Sequence, residues 1–156
     1  MIPVILIFAV LALPLRFHAT NTPFTLVISS EAKSVKAGSA VEIKLSLTND
    51  SDQDIDASAN ISDLTGVDPN FIFEVRDAVG NLVAKRRYEH PELATGHALL
   101  NRVIKPGKTF EETADIGRLY DMSRPGEYNI QASRRSSENE KDGVVKSNKI
   151  RIIVIP

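Results

Sequence analysis

The chain has 156 residues, of which 42% are hydrophobic and 25% are charged, a composition typical of one globular domain rather than of a disordered segment. Nineteen Lys and Arg against twenty Asp and Glu give a formal net charge of -1, which provides no overall field to attract nucleic acid. The absence of cysteine excludes disulfides, thiolate metal sites, a cysteine nucleophile and a lipid anchor on cysteine.

The N-terminus is strongly apolar. Residues 2–15 form a continuous apolar run, too short to span a bilayer comfortably but of the right length for the core of a signal peptide. We therefore predict that residues 1–19 are an export signal cleaved after Ala19, and that residues 20–156 are a secreted or periplasmic domain without membrane contact. An uncleaved N-terminal membrane anchor is the alternative.

From residue 24 onward the hydrophobic pattern has a period of two, as in a strand with one buried face. Residues 24–29, 40–48 and 71–76 are the first predicted strands, and residues 50–70 are predicted to form a long polar connection. The apolar positions of the second strand are Val41, Ile43, Leu45 and Leu47.

The pair Gly80-Asn81 follows the third strand and leads into residues 82–84. Such a pair between two hydrophobic segments predicts a β-hairpin. Residues 87–98 form a second polar connection. Because loops on a rigid sandwich often carry binding residues, both long connections are candidate contact regions.

The C-terminal half continues the strand pattern. Further strands are predicted over residues 99–104, 109–114 and 127–134 and from residue 150 to the end of the sequence, with a charged hairpin tip over residues 136–143. Gly117 to Ser123 could hold one helical turn at most. About seven short strands separated by Pro-Gly and Gly-rich turns predict an all-β, antiparallel sandwich of immunoglobulin-like type.

The segment Gly126-Glu127-Tyr128-Asn129-Ile130 resembles the Gly-x-Tyr-x-Cys pattern that opens strand F of immunoglobulin-like domains, with Ile130 in the place of the cysteine. The resemblance implies that Tyr128 forms a tyrosine corner, with its ring in the core and its hydroxyl bonded to the backbone a few residues upstream. Pro125 and Gly126 then supply the turn before the strand.

The wider layout, over residues 25–155, is similar to bacterial extracytoplasmic immunoglobulin-like modules and to the intracellular proteinase inhibitor (BsuPI) family. The matching segments are Leu47-Thr48-Asn49-Asp50-Ser51, Phe73-Glu74-Val75-Arg76-Asp77, Gly80-Asn81, Pro106-Gly107 and Pro125-Gly126-Glu127-Tyr128. This resemblance implies a sandwich and a protease-inhibitor activity, with a loop such as residues 87–98 entering the protease cleft.

Four carboxylates, Asp50, Asp52, Asp54 and Asp56, occupy every second position of one segment. Ca²⁺ accepts six to eight oxygen ligands, so the segment is a candidate calcium site, although its spacing is not that of an EF-hand. The alternative is a solvated loop or a charged sheet edge, which protects an edge from aggregation.

Three other groups of residues are candidate sites. His90 and His97, with Glu89 and Glu92 nearby, are of the types that bind zinc, but their spacing matches no zinc signature and surface loop residues are the alternative. The basic groups Lys85-Arg86-Arg87 and Arg134-Arg135 could meet an acidic partner, or they could be solvated faces of strands paired with carboxylates.

No Gly-x-Ser-x-Gly motif is present, so the sequence favours a chain that is not an enzyme. The leading hypothesis is an exported binding or structural module, without a cofactor, that contacts a protein, a peptide or a surface polymer through loops or a sheet edge. A protease inhibitor and a calcium-binding surface domain are the alternatives.

Overall fold

The computed structural model describes residues 22–62, 66–87, 97–135 and 143–156. Within these ranges the chain forms strands and one 3-10 turn, Ile116–Arg118, and no helix there has the length and apolarity to cross a membrane. The strands are β1 (Phe24–Ser29), β2 (Ser34–Lys36), β3 (Glu42–Asn49), β4 (Ile55–Asp56), β5 (Ala59–Ser62), β6 (Phe71–Asp77), β7 (His97–Leu100), β8 (Val103–Ile104), β9 (Thr109–Asp115), β10 (Gly126–Arg135) and β11 (Val144–Ile155).

Seven of these strands form two main sheets. One sheet has the order β1-β3-β9, and the other has the order β2-β11-β10-β6. All neighbours are antiparallel except β2, which runs parallel to β11. The chain therefore crosses from one sheet to the other between β1 and β2. This architecture confirms the predicted immunoglobulin-like β-sandwich of about seven strands.

The core lies between the two main sheets. Every second residue of β1, β3, β6 and β10 is buried, and the same holds for β11 on each side of an irregularity described below. Ile43, Val75 and Ile130 have no exposed surface at all. This alternation produces a sandwich because the apolar face of each sheet can leave water only by packing against the other.

Several predicted segments differ from the structure. The last strand begins at Val144 and not at residue 150, Leu82 forms a single bridge to Arg76 in place of a return strand over residues 82–84, and β2 is not among the predicted strands. The supposed polar connection over residues 50–70 contains β4 and β5, which pair with β8 and β7. The strand predicted over residues 99–104 is interrupted between β7 and β8, where the Arg102 N–H donates to the Ser58 hydroxyl (3.0 Å). These strands are short and their partners lie about forty residues away along the chain, so local periodicity carries little signal of their pairing.

Tyr128 lies in the core with 6% of its surface exposed. Its hydroxyl donates to the carbonyl of Arg124 (2.8 Å), four residues upstream, which is the bond that characterises a tyrosine corner. Gly126, at the start of β10, has φ +156°. Burial is the main cause that raises the pKa of Tyr128, so the hydroxyl stays protonated and continues to donate near neutral pH.

We expect Tyr128→Phe to lower the free energy of unfolding by about 1 kcal/mol, because it removes one hydrogen bond and keeps the buried ring. Tyr128→Ala should cost about 3 kcal/mol or more, since it also leaves a cavity. Urea denaturation followed by circular dichroism measures both. Wild-type stability in Tyr128→Ala would contradict the core position of this ring.

A β-bulge interrupts β11. Gln131 of β10 pairs with Lys149 and Ser133 pairs with Lys146, so two residues, Ser147 and Asn148, lie opposite Ala132 alone. The Ser147 hydroxyl accepts the Ala132 N–H (3.0 Å), which gives that buried donor a partner within the bulge. A bulge of this kind bends its strand and re-aims the side chains beside it.

The bulge also joins the two sheets. The Asn148 side chain accepts the Ile28 N–H (2.9 Å) through Oδ1 and donates to the Ile28 carbonyl (3.0 Å) through Nδ2. One amide thus satisfies both backbone groups of a residue in β1, as a paired strand would. The edge of the three-stranded sheet is held to β11 by this contact.

Removing that amide should destabilise the sandwich. We expect Asn148→Ala to lower the free energy of unfolding by about 1 to 3 kcal/mol, because two backbone groups of Ile28 lose their partner at once. The matched control is Lys149→Ala, an exposed neighbour that should change stability by no more than about 0.5 kcal/mol. Equal unfolding midpoints for the two variants in urea would show that the amide contact adds nothing.

At the end of the sandwich where β6 begins, four charged residues form a buried network. Asp68 is completely buried and lies 3.4 Å from the Arg134 guanidinium, and Arg102 lies 2.7 Å from Glu112 and 3.7 Å from Asp68. The guanidiniums of Arg134 and Arg102 also lie over the rings of Phe71 and Phe110, respectively. Two cations thus face two carboxylates, and each charged group has a partner of opposite sign. Charged groups that are removed from water require such partners.

Candidate functional site

The outward side of β6, β10 and β11 carries several charged side chains, most of them cationic. We call it the cationic face. Strand register arranges its side chains in rows, which neighbouring strands share at a spacing of about 4.8 Å, while successive rows lie about 7 Å apart. The rows are Arg135 and Val144; Ile72, Ser133 and Lys146; Glu74, Gln131 and Lys149; Arg76, Asn129 and Arg151; and Glu127 and Ile153.

A line of four cations runs along one side of this face. Lys146, Lys149 and Arg151 follow one another on β11, and Arg135 of β10 extends the line by one row. The neighbouring positions on β10 carry uncharged hydrogen-bonding side chains, Asn129, Gln131 and Ser133. The face therefore presents a row of positive charges beside a row of amide and hydroxyl groups.

The β-bulge creates this line. Residues 146 and 149 are separated by an odd number of positions, so in a regular strand they would point to opposite faces of the sheet. The bulge at Ser147 and Asn148 shifts the alternation by one residue. As a result Lys146 and Lys149 both point outward, while Val145 and Ile152 both point into the core.

Two of the cations on the face have carboxylate partners and three have none within ion-pair distance among the residues the structure describes. Arg76 bonds to Glu74 (2.7 Å) and Arg151 contacts Glu127 (3.3 Å). The remaining three are Arg135, Lys146 and Lys149. Positive charge is therefore in excess on this surface.

The pKa of Glu74 reports the local field. It is lowered chiefly by the hydrogen bond from Arg76, and the charges of Arg76, Lys146 and Lys149 lower it further. A carboxyl group that is stabilised in its ionised form by several neighbours lies in a positive potential. Lys146 and Lys149 therefore both stabilise the ionised form of Glu74.

The opposite sheet carries the opposite sign. On the outer side of β3 and β9, three carboxylates accompany one lysine, Lys44, which pairs with Glu111 (2.8 Å). The carboxylates are Glu42, Glu111 and Asp115. A chain with a net charge of -1 thereby gains one positive and one negative face, a separation that total charge does not reveal.

We expect Lys146→Gln/Lys149→Gln to raise the pKa of Glu74 toward its ordinary value, because two positive charges that favour its ionised form are removed. Side-chain carboxyl chemical shifts, recorded as a function of pH, measure this change. The control Lys44→Gln/Lys108→Gln removes the same charge elsewhere and should leave Glu74 unaffected. An unchanged Glu74 pKa in the first variant would show that the two lysines do not act on this site.

The predicted calcium ligands are not drawn together. Asp50 accepts a hydrogen bond from the Thr25 hydroxyl, Asp54 pairs with Lys105 (2.6 Å), and Asp56 accepts the N–H of Ser58 (2.8 Å). Asp52 is exposed. Across the residues described, no three His, Cys, Asp or Glu side chains are grouped so that they could hold a metal ion.

Most of the residues considered for zinc lie outside the described ranges. These are Glu89, His90 and Glu92, and with them most of the loop over residues 87–98 that the inhibitor hypothesis requires. His97 begins β7, where its backbone pairs with Ser62. The structure therefore describes neither a zinc site nor an inhibitory loop.

The basic groups noted in the sequence separate in space. Arg134 points inward to Asp68, whereas its neighbour Arg135 points outward and joins the cationic face. Lys85 and Arg87 are exposed, and Arg86 donates from Nε to the Tyr120 carbonyl (3.2 Å). Sequence reasoning missed Lys146 and Lys149, for which the only available signal was a failure of the alternating pattern between Lys146 and Ile150.

A shallow cleft of about 460 Å³ lies at the end of the sandwich beside Tyr128. Asp77 and Asp121 line it, and the pKa of each is lowered by hydrogen bonds within its own turn, chiefly from Asn81 to Asp77 and from Ser123 to Asp121. Carboxyl groups held in the ionised state in this way lack the raised pKa of a general acid. The cationic face is therefore the stronger candidate site.

No protein-family model matches the sequence, and no curated protein does. Solved structures with a similar chain path include the following three, all at low identity. A β-glucosidase from Listeria innocua in complex with glucose is 15% identical with a TM-score of 0.44, and the match covers 84% of this chain but 16% of that one. AvmM, which catalyses macrocyclization in alchivemycin A biosynthesis, is 9% identical with a TM-score of 0.39, over 86% and 89% of the two chains.

The third structure is the ASH / PapD-like domain of human CEP192, which is 14% identical with a TM-score of 0.34, over 96% and 93% of the two chains. Likenesses at this level carry no argument about activity, since one sandwich fold serves many functions. The assignment of the fold rests on the strand order and register described above.

Proposed function

We propose that this chain is an exported binding module, without catalytic activity, that contacts its partner through the cationic face. The observation that carries the proposal is the line of Arg135, Lys146, Lys149 and Arg151 on one face of the four-stranded sheet. Export follows from the predicted signal over residues 1–19, and the contact surface is a sheet face instead of the loops or sheet edge that the sequence suggests.

The rigidity of the surface supports a binding role. The cations project from paired antiparallel strands, and the bulge that aligns them is held by the bonds of Ser147 and Asn148. A preformed arrangement of charges loses little conformational freedom of the backbone when a partner binds. Clustered charge of one sign also speeds the encounter with a partner of the other sign.

The behaviour of the carboxylates supports a role without catalysis. Among the residues that the structure describes, the Asp and Glu side chains with a perturbed pKa are all shifted downward. General acid-base catalysis near neutral pH requires carboxyl groups that are shifted upward by burial or by a like charge. The described acids are therefore suited to turns and ion pairs.

Binding to the cell envelope tests this proposal. Purified mature protein is mixed with washed envelope particles of the source organism and sedimented. We expect wild type and the control Lys44→Gln/Lys108→Gln to sediment with the particles. Lys146→Gln/Lys149→Gln should bind roughly tenfold more weakly, since it loses two ion pairs with the partner.

Thermal melts of the three proteins verify that exposed substitutions have not unfolded the domain. Equal sedimentation of both variants would place the contact surface elsewhere on the molecule, and a lack of wild-type sedimentation would count against an envelope partner.

A further inference from the structure

The geometry of the cationic face points to a linear anionic polysaccharide as its ligand, and this inference rests on the proposed binding function. We propose that the anionic groups of the chain lie along the line from Arg135 to Arg151, while its hydroxyl groups meet the polar row on β10. Each part of this assignment follows from the positions of side chains on the sheet.

The shape of the charged surface favours an extended ligand. The cations form a line and not a cluster, with successive rows about 7 Å apart, so that four rows extend over about 20 Å. A compact anion such as a single phosphate would contact one or two of them. A flexible polyanion that lies along β11 can reach all four, and each contact adds its ion-pair energy to the total.

A row of polar side chains lies beside the cations. Asn129 and Gln131 expose part of their surface between the strands that carry Arg76 and Arg151, and Ser133 continues the row. Gln131 donates from Nε2 to the Ser147 carbonyl (2.7 Å) and Ser133 donates to the Ile72 carbonyl (3.2 Å), so these two side chains offer a ligand chiefly their oxygen atoms as acceptors. Amide and hydroxyl groups both donate and accept hydrogen bonds, as sugar hydroxyls do. A ligand that carries charges and hydroxyl groups side by side matches both rows.

The side chains of the cationic face distinguish this ligand from nucleic acid. Single-stranded nucleic acid is usually held by aromatic side chains that stack on its bases. On the strands of the cationic face, however, the aromatic residues Phe71, Phe73 and Tyr128 all point into the core. The outward positions described there offer charge and hydrogen bonds but no stacking surface.

The extent of the face distinguishes the ligand from a folded protein. Three strands and five rows cover roughly 500 Å², less than the area of about 800 Å² that each partner buries in a typical stable protein complex. Such an area is sufficient for a narrow polymer. The apolar side chains Ile72 and Val144 stand at one end of the face and Ile153 stands at the other, so they do not form a continuous apolar centre.

The test uses heparin and polygalacturonate as anionic polysaccharides, neutral dextran as the uncharged control, and duplex DNA and polyglutamate as other polyanions. Binding of the mature protein is measured by fluorescence anisotropy at about 50 mM salt, where ion-pair contacts are weakly screened. We expect wild type to bind both anionic polysaccharides more tightly than DNA or polyglutamate, and to leave dextran unbound.

Two variants examine the two rows separately. Lys146→Gln/Lys149→Gln should weaken polysaccharide binding roughly tenfold and reduce the dependence of log Kd on log salt concentration by about two, whereas Lys44→Gln/Lys108→Gln should bind as wild type does. Asn129→Ala removes no charge, so it should weaken polysaccharide binding about threefold, by loss of one hydrogen bond, and leave polyglutamate binding unchanged.

Three results would overturn the inference: no binding of either polysaccharide by wild type, binding of DNA or polyglutamate that is equally tight, or unchanged polysaccharide binding in Asn129→Ala. If the wild type attaches to envelope particles through the cationic face but binds neither polysaccharide, this inference fails while the proposed function stands.

Discussion

The β-bulge at Ser147 and Asn148 is the constraint on which most of this structure depends. By placing two residues opposite Ala132, it changes which residues of β11 face the core. It therefore lets one long strand bury Val145 in its first part and Ile152 in its second. Without this shift the strand would have to expose one of its two apolar segments or end early.

The same bulge serves the packing of the sheets and the charge of the surface. Asn148 binds both backbone groups of Ile28 and so closes the gap between β1 and β11, while the shift in alternation brings Lys146 and Lys149 to one face. Bulges are often found where a side chain must be re-aimed for function. Here stability and the proposed contact surface share one local feature, so substitutions in the bulge should affect both.

Charge in this molecule is organised by burial and by strand position. Arg134 and Arg135 are adjacent in sequence, yet the first is neutralised by Asp68 inside the domain and the second is exposed on the cationic face. A buried guanidinium requires a carboxylate partner, because its desolvation costs several kcal/mol. Exposed cations carry no such requirement and can remain in excess, which gives the nearly neutral chain its strongly positive surface.

The sequence by itself determined the fold class, the main strands and the core tyrosine, because alternating apolar residues and Pro-Gly turns act locally and have a known geometry. Strands β1, β3, β6 and β10 follow directly from such patterns. The sequence could not determine the pairing of β4 and β5 with β8 and β7, since the partners are short and distant along the chain.

The candidate site was likewise decided only by the tertiary structure. In a strand of regular alternation Lys146 and Lys149 would lie on opposite faces, and in the sequence Arg134 and Arg135 form one basic pair. Both assignments change once β11 pairs with β10 across the bulge and Asp68 reaches Arg134 from another part of the chain. Which face a side chain joins depends on register between strands, and register is set by packing over the whole sandwich and not by neighbours in sequence.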